Sequence, residues 1–169
     1  MENSKKLFGI ALGLSEPWFI KDVKFSFSAT GTGQLDIYLD FIKGAKFNDD
    51  DGNKSAVHDT VDKTWQHLDF FQHTCFLHAR VPRILTSAQK VRMVQVPWAR
   101  PGSGFTLLFE AFAMALIENE MPINKAASLL NVYAHRLWTI FNYWINRAFA
   151  KDDVSEIEKI GIDETSTRK

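Results

Sequence analysis

The sequence predicts an α+β chain in which a small antiparallel β-sheet is followed by three helices, the last two forming a helix-turn-helix. Two observations predict it. Apolar residues alternate with period two from about Asp22 to Val96, the pattern of half-buried strands. After Pro101-Gly102-Ser103-Gly104 the apolar period becomes helical. The 169 residues, 46% hydrophobic and 13% aromatic, suffice for one sizeable core or two small ones, and the composition is that of a folded chain.

Val23, Phe25 and Phe27 share one face of a first strand, and Leu35, Ile37, Leu39 and Phe41 share one face of the next. Ala29 to Gly33 reads as the hairpin connection between them. Asn48-Asp49-Asp50-Asp51-Gly52-Asn53 is a loop on its polarity. Cys75, Leu77, Ala79 and Val81 alternate with Phe76, His78, Arg80 and Pro82, and Val91 to Val96 is a further strand that Pro97 ends. Phe105 to Glu120 is apolar nearly all round, the mark of a buried helix. Pro122 closes it and opens a second helix to Leu130, with Ile123, Ala126, Ala127 and Leu130 on one side. Asn131-Val132 makes a short break. A third helix, about Tyr133 to Phe149, aligns Leu137, Ile140, Phe141, Trp144, Ile145 and Ala148, with His135, Arg136, Thr139, Asn142, Tyr143, Asn146 and Arg147 on its other face. Two short helices joined by a tight turn and packed on a longer one make a helix-turn-helix. Ala150 to Lys169 begins acidic, and Ile160 to Ile162 opens a strand. The expected organisation is an N-terminal segment with the first strands (1–34), a β region (35–98), the helix-turn-helix (99–150) and a linker into a further domain (151–169).

Lys+Arg and Asp+Glu are equal at 20 each, which excludes a chain that coats nucleic acid by charge alone but leaves room for a local basic face. The lone Cys75 excludes an internal disulfide and a multi-cysteine zinc site. It alternates with Leu77 and Ala79, as a packed rather than a reactive thiol does. Met1 to Lys6 is polar and charged, so no secretory signal is expected, and no apolar run reaches the roughly 20 residues that span a bilayer. A soluble, cytoplasmic chain with no membrane partner is expected.

DNA-binding candidates lie at the start and on the outer face of the third helix: Tyr133, His135, Arg136, Thr139 and Tyr143. Arg136 suits guanine or phosphate, and Thr139 suits a thymine methyl. Arg80, Arg83, Arg92 and Arg100, with Lys90 nearby, offer a second basic surface along the strands. The alternative is that these are ordinary solvated charges, and that Trp138 and Tyr143 are covered by a further domain. Asp49, Asp50 and Asp51 lack the spacing of an EF-hand and read as a solvated turn. No pair among His58, His67, His73 and His78 has the spacing of a structural metal site.

Thr64-Trp65-Gln66-His67-Leu68-Asp69, His78-Ala79-Arg80-Val81-Pro82-Arg83, the run Val96-Pro97-Trp98-Ala99-Arg100-Pro101-Gly102-Ser103-Gly104-Phe105-Thr106-Leu107-Leu108-Phe109-Glu110 and Gly161-Ile162-Asp163-Glu164-Thr165-Ser166 together resemble the transposases of the ISL-three insertion-sequence family. The resemblance runs from about Leu35 to the last residue. It implies a zinc ribbon, a helix-turn-helix and the start of a ribonuclease-H-like catalytic domain with an acidic triad. Two departures stand out. The family's two Cys-x-x-Cys knuckles fall on Asn48 and Asp51 and on Thr86 and Gln89, none of which is cysteine. Tetrahedral zinc needs thiolates or imidazoles, so no zinc is expected, and the ribbon-like sheet must stand on packing of Trp65, Phe70, Phe71 and Phe76 or else be loose. Asp163 matches the first triad residue, but the chain ends six residues later. Two-metal phosphoryl transfer needs several converging carboxylates, and Glu164, adjacent in a strand, faces the other way. No strand transfer is expected from these residues alone, and Mg belongs only to a complete catalytic domain.

The resemblance implies a bacterial, nucleoid-associated protein whose partners are the double-stranded DNA of transposon ends and a second transposase chain, its own copy or the full-length enzyme. The leading expectation is the DNA-binding part of a transposase that recognises terminal inverted repeats. Two alternatives stay open: a truncated product that regulates transposition by pairing with the full-length enzyme, and a decayed fragment without function.

Overall fold

The structure is a computed structural model, and it describes residues 2–27, 31, 33–49, 51–87 and 89–151. Asp163, the strand opening at Ile160 to Ile162 and most of the expected linker lie outside the described residues, as does Ala29 of the first hairpin. The elements in chain order are α1 (Glu2–Ala11), β1 (Trp18–Phe27), β2 (Gly33–Phe41), β3 (Lys46–Asn48), β4 (Lys54–Phe70), β5 (His73–Leu85), β6 (Val91–Met93), α2 (Leu107–Glu118), α3 (Ile123–Leu129) and α4 (Ala134–Phe149). They fall into two compact units, residues 1–121 and 122–169, divided inside the stretch expected to be one helical domain.

The α+β class holds, but the sheet is mixed rather than antiparallel. Its strand order is β1-β2-β5-β4-β3, with β6 also on β5. β2 and β5 run parallel, from Gln34 opposite Thr74 to Leu39 opposite Ala79, while every other pair is antiparallel. The long β4–β5 hairpin is the cause: its return strand inserts between β4 and β2, so β5 meets β2 in the same direction. One sheet face carries Leu35, Ile37, Leu39, Cys75, Leu77, Ala79 and Val81, all buried, as the alternation predicts. At one end of this core, Trp18 packs on Phe41, Phe47 and Trp98, and Trp65 packs on Trp98. Of the expected packing aromatics, Trp65 is buried, whereas Phe70 and Phe71 sit at the β4–β5 turn and are 37% and 81% exposed. The strand expected over Val91 to Val96 shortens to β6.

The polar face is held by specific pairs. Buried Asp36 accepts from His78 Nε2 at 2.7 Å and from Gln34, and Tyr38 stacks on the His78 ring. Buried Asp40 accepts from Arg80 at 3.0 Å and from its neighbour's Phe41 N–H. These partners satisfy two carboxylates that the burial of a central strand would otherwise penalise.

Residues 94–110 lock α2 onto the sheet. Leu107 N–H donates to Trp98 O, while Gln66 N–H donates to Gly104 O and Thr106 N–H to Gln66 O. Glu110, fully buried, accepts from Arg100 Nε at 2.9 Å and from Ser103 Oγ at 2.6 Å. Thr106 caps α2, its hydroxyl accepting from Phe109 N–H. The helix is not buried all round as expected: Phe109, Glu110 and Ala113 are inside, but Leu107, Leu108 and Phe112 are 37%, 53% and 43% exposed.

Candidate nucleic-acid interface

The second unit begins at Pro122, whose fixed φ suits a helix start. α3 buries Ala126 and Ala127 and is stopped by a turn that its own backbone closes. Asn131 takes φ +53°, Val132 N–H reaches back to Ala127 O and Asn131 N–H to Ser128 O. This pair of bonds satisfies the last carbonyls of the helix, with asparagine in the left-handed position usually given to glycine. α4 starts two residues later, so a single tight turn fixes α4 against α3.

α4 buries Leu137 and Ile140, with Phe141 and Trp144 half-buried beside them. On the opposite side His135, Thr139, Asn142 and Asn146 are exposed. Their spacing of four, three and four residues, at about 100° per residue, keeps all four within roughly 30° of one line along the helix. Arg136, half-buried, flanks this stripe, as do Tyr143 and Arg147, whose guanidinium donates to the Tyr143 hydroxyl at 3.1 Å. Trp138 lies on the other flank, 47% exposed. Tyr133, the residue before α4, is 76% exposed and stacks on His135 with ring centroids 5.8 Å apart. Thr139 spends its hydroxyl on His135 O at 2.9 Å.

The five expected reading residues therefore gather at the start and along one side of α4, with His135 and Thr139 central, Arg136 and Tyr143 on the flank. Sequence reasoning placed Asn142 and Asn146 on the outer face without naming them as readers; the three-to-four spacing that runs back from them to His135 is the signal that adds them. Charge is one-sided over the described stretch of this unit, although residues 122–169 as a whole hold seven Lys and Arg against six Asp and Glu. Residues 122–151 contain Lys125, Arg136, Arg147 and Lys151 and no Asp or Glu, whereas residues 1–121 hold thirteen Lys and Arg against fourteen Asp and Glu.

Three of the four arginines expected along the strands face carboxylates of the protein. Arg80 pairs with Asp40 and lies over the Phe41 ring, Arg83 pairs with Asp59 through Nε and Nη2, and Arg100 is held at Glu110 inside the protein. The Arg83 hydrogen bonds hold the Asp59 carboxyl below its usual range against the desolvation that would raise it. Arg92 is exposed on β6.

The four positions expected at the family's knuckles fall on two turns, β3–β4 and β5–β6, and the structure brings these turns together. Asp49 accepts from Asp51 N–H, Asn53 N–H and, across the gap, Ser87 N–H at 3.3 Å. Ser87 Oγ donates to Asp51 at 2.8 Å, and Thr86 Oγ1 accepts from Lys90 N–H. Partial desolvation lifts the Asp49 pKa, but the N–H groups of Asn53, Ser87 and Asp51 outweigh it and hold the carboxyl below its usual range. Among the described residues no three His, Cys, Asp or Glu side chains are grouped to hold a metal ion. His67 lies elsewhere, half-buried against Thr106 Oγ1 at 2.8 Å, where desolvation pushes its pKa down. Cys75 is buried, and desolvation with the nearby Asp36 and Asp69 charges pushes its thiol up to about 12. Among the described residues no helix is long and apolar enough to cross a membrane.

Residues 94–145 match the family model for the helix-turn-helix domain of transposase family ISL3, a span that runs from Val94 through α2 and α3 into α4. Two curated relatives, each described as the transposase for insertion sequence element IS1557, come from Mycobacterium tuberculosis strains CDC 1551 / Oshkosh and ATCC 25618 / H37Rv. Each is 25% identical, over 97% of this chain and 38% of its own length. No solved structure matches. The chain thus resembles the N-terminal part of an ISL3-family transposase, and residues 94–145 are similar to that family's helix-turn-helix domain.

Proposed function

We propose that this chain is the DNA-binding N-terminal part of a transposase, and that α3 and α4 recognise the terminal inverted repeats of its element. One observation carries the reading: a chain of zero net charge concentrates four cations and no acid in residues 122–151, around an exposed polar stripe on α4. A cationic stretch attracts the phosphate backbone, and polar side chains on an exposed helix read base edges in the major groove. Arg136, Lys125 and Arg147 hold phosphates in this reading, while His135, Thr139, Asn142 and Asn146 face the bases. In this reading Asp163 holds the place of the first carboxylate of an acidic triad that would bind Mg in a complete catalytic domain, and a second transposase chain is the protein partner.

We also infer that the β3–β4 and β5–β6 turns are a ribbon closed without zinc. Asn48, Asp51, Thr86 and Gln89 do not fit the ion, since they offer neither thiolate nor imidazole. Asp51 is engaged by Ser87 and Thr86 by Lys90 N–H, so the Asp49–Asp51–Ser87 bonds take the place of a metal clip.

The exposed Leu107, Leu108 and Phe112 of α2 favour a second reading, in which the chain also pairs with full-length transposase and so regulates transposition. The test of the first reading is binding of the purified chain to a duplex carrying the element's terminal repeats, against a scrambled duplex, across a salt series. Tighter binding to the repeats that Arg136→Ala weakens supports it. Equal binding to both duplexes, or none, rejects it.

A further inference from the structure

The proposed DNA-binding reading leaves the kind of base sequence open, and the side chains on α4 narrow it. The exposed stripe consists of His135, Thr139, Asn142 and Asn146, with Trp138 along one edge. Neither Arg nor Lys lies on it. A long basic side chain paired with the O6 and N7 of guanine is the commonest specific contact in the major groove, and here the two arginines of α4 are placed on the flank. Arg136 is half-buried there, and Arg147 donates to Tyr143.

An asparagine amide, by contrast, offers one acceptor and one donor in the fixed spacing that matches N6–H and N7 of adenine. Asn142 and Asn146 are one helical turn apart and exposed. Thr139 sits between His135 and Asn142, and its hydroxyl is committed to the helix backbone, so it presents its methyl group. A methyl at that position, with the Trp138 ring beside it, fits the C5-methyl of thymine. From His135 to Asn146 the stripe measures about 16 Å along the helix, the rise of roughly five base pairs.

We propose that α4 reads an A·T-rich core in the major groove, with Asn142 and Asn146 recognising adenines and Thr139 and Trp138 contacting thymine methyls. The inference rests on the DNA-binding reading above. Its test is selection of duplexes by the purified full chain from a pool with a random central segment, followed by titration of the enriched sequence. The expected core is A·T-rich. Replacing its adenines by 7-deazaadenine, or its thymines by uracil, lowers affinity roughly tenfold at the contacted positions. Asn142→Ala with Asn146→Ala selects a core that has lost its adenines while still binding random duplex. These positions are exposed and alanine favours helix, so the double variant keeps its fold, which far-UV circular dichroism verifies. A G·C core, or the same adenines selected by the double variant, overturns this inference and leaves the DNA-binding reading standing. A chain that retains no duplex of any sequence overturns both.

Discussion

Glu110 shows how one residue can make a long motif readable. It is fully buried, and Arg100 and Ser103 reach it across a loop that also carries the buried Trp98. Removing one partner strands a charge, so Glu110→Ala is expected to destabilise the first unit by about 3–5 kcal/mol, while Arg100→Met with Glu110→Leu costs much less. Urea denaturation of the three proteins checks both. His67 makes a pH-dependent contribution. Burial depresses its pKa below the ordinary 6.5, so the unfolded chain binds the proton more readily. Stability is then complete above pH 6.5 and falls as the pH drops from there toward the lowered value. His67→Gln removes that loss, so the gap between wild type and variant in urea midpoint should change between pH 7.5 and 5.5. If the two curves run parallel, His67 is not the titrating group. The alternation around Cys75 foretold its burial correctly, yet nothing in the sequence pointed to the Glu110 pair, because a charged residue within a helix reads as surface until its partner's position is known.

Elements were legible where a face repeats and illegible where partners are remote. β2 and β5 announced themselves through Leu35-Ile37-Leu39 and Cys75-Leu77-Ala79. β4 did not, since Trp65 and Gln66 are its only fully buried residues and Lys, Asp and His crowd its length. The parallel pairing of β2 with β5 had no signal at all: alternation fixes a face, not a direction. α3 and α4 were legible through Pro122, the Asn131 break and the Leu137-Ile140 stripe. Their turns carry a cost that can be measured. α2 ends as α3 does, with Met121 N–H bonded to Leu116 O and Glu120 N–H to Ile117 O, and Glu120 sits at φ +62°. A glutamate there is strained, whereas glycine is not. Glu120→Gly is therefore expected to stabilise the protein by about 0.5–1 kcal/mol, and Asn131→Gly to change it by less, since asparagine tolerates this conformation. Thermal midpoints decide, and a destabilised Glu120→Gly would mean that the side chain does more than occupy the turn.

At the scale of the whole molecule, zero net charge conceals one stretch, residues 122–151, with four cations and no acid, which the acidic residues on either side of it in the sequence offset. The first unit is nearly balanced, and among its arginines Arg80, Arg83 and Arg100 already face carboxylates of the protein. The described part of the second unit is purely cationic. Binding of a polyanion releases about 0.9 counterions for each phosphate neutralised on B-DNA. If contact is confined to Lys125, Arg136, Arg147 and Lys151, the slope of log affinity against log salt concentration should lie near −3.6 at its steepest. Arg147→Ala should reduce it by about one, whereas Arg80→Ala and Arg83→Ala should leave it unchanged, because each of those cations neutralises Asp40 or Asp59 rather than a phosphate. Fluorescence anisotropy of a labelled duplex between 50 and 200 mM salt, on the order of the range over which such slopes are resolved, supplies the comparison. A slope that falls with Arg80 or Arg83 would move the phosphate-binding surface onto the sheet and require those ion pairs to open when DNA binds.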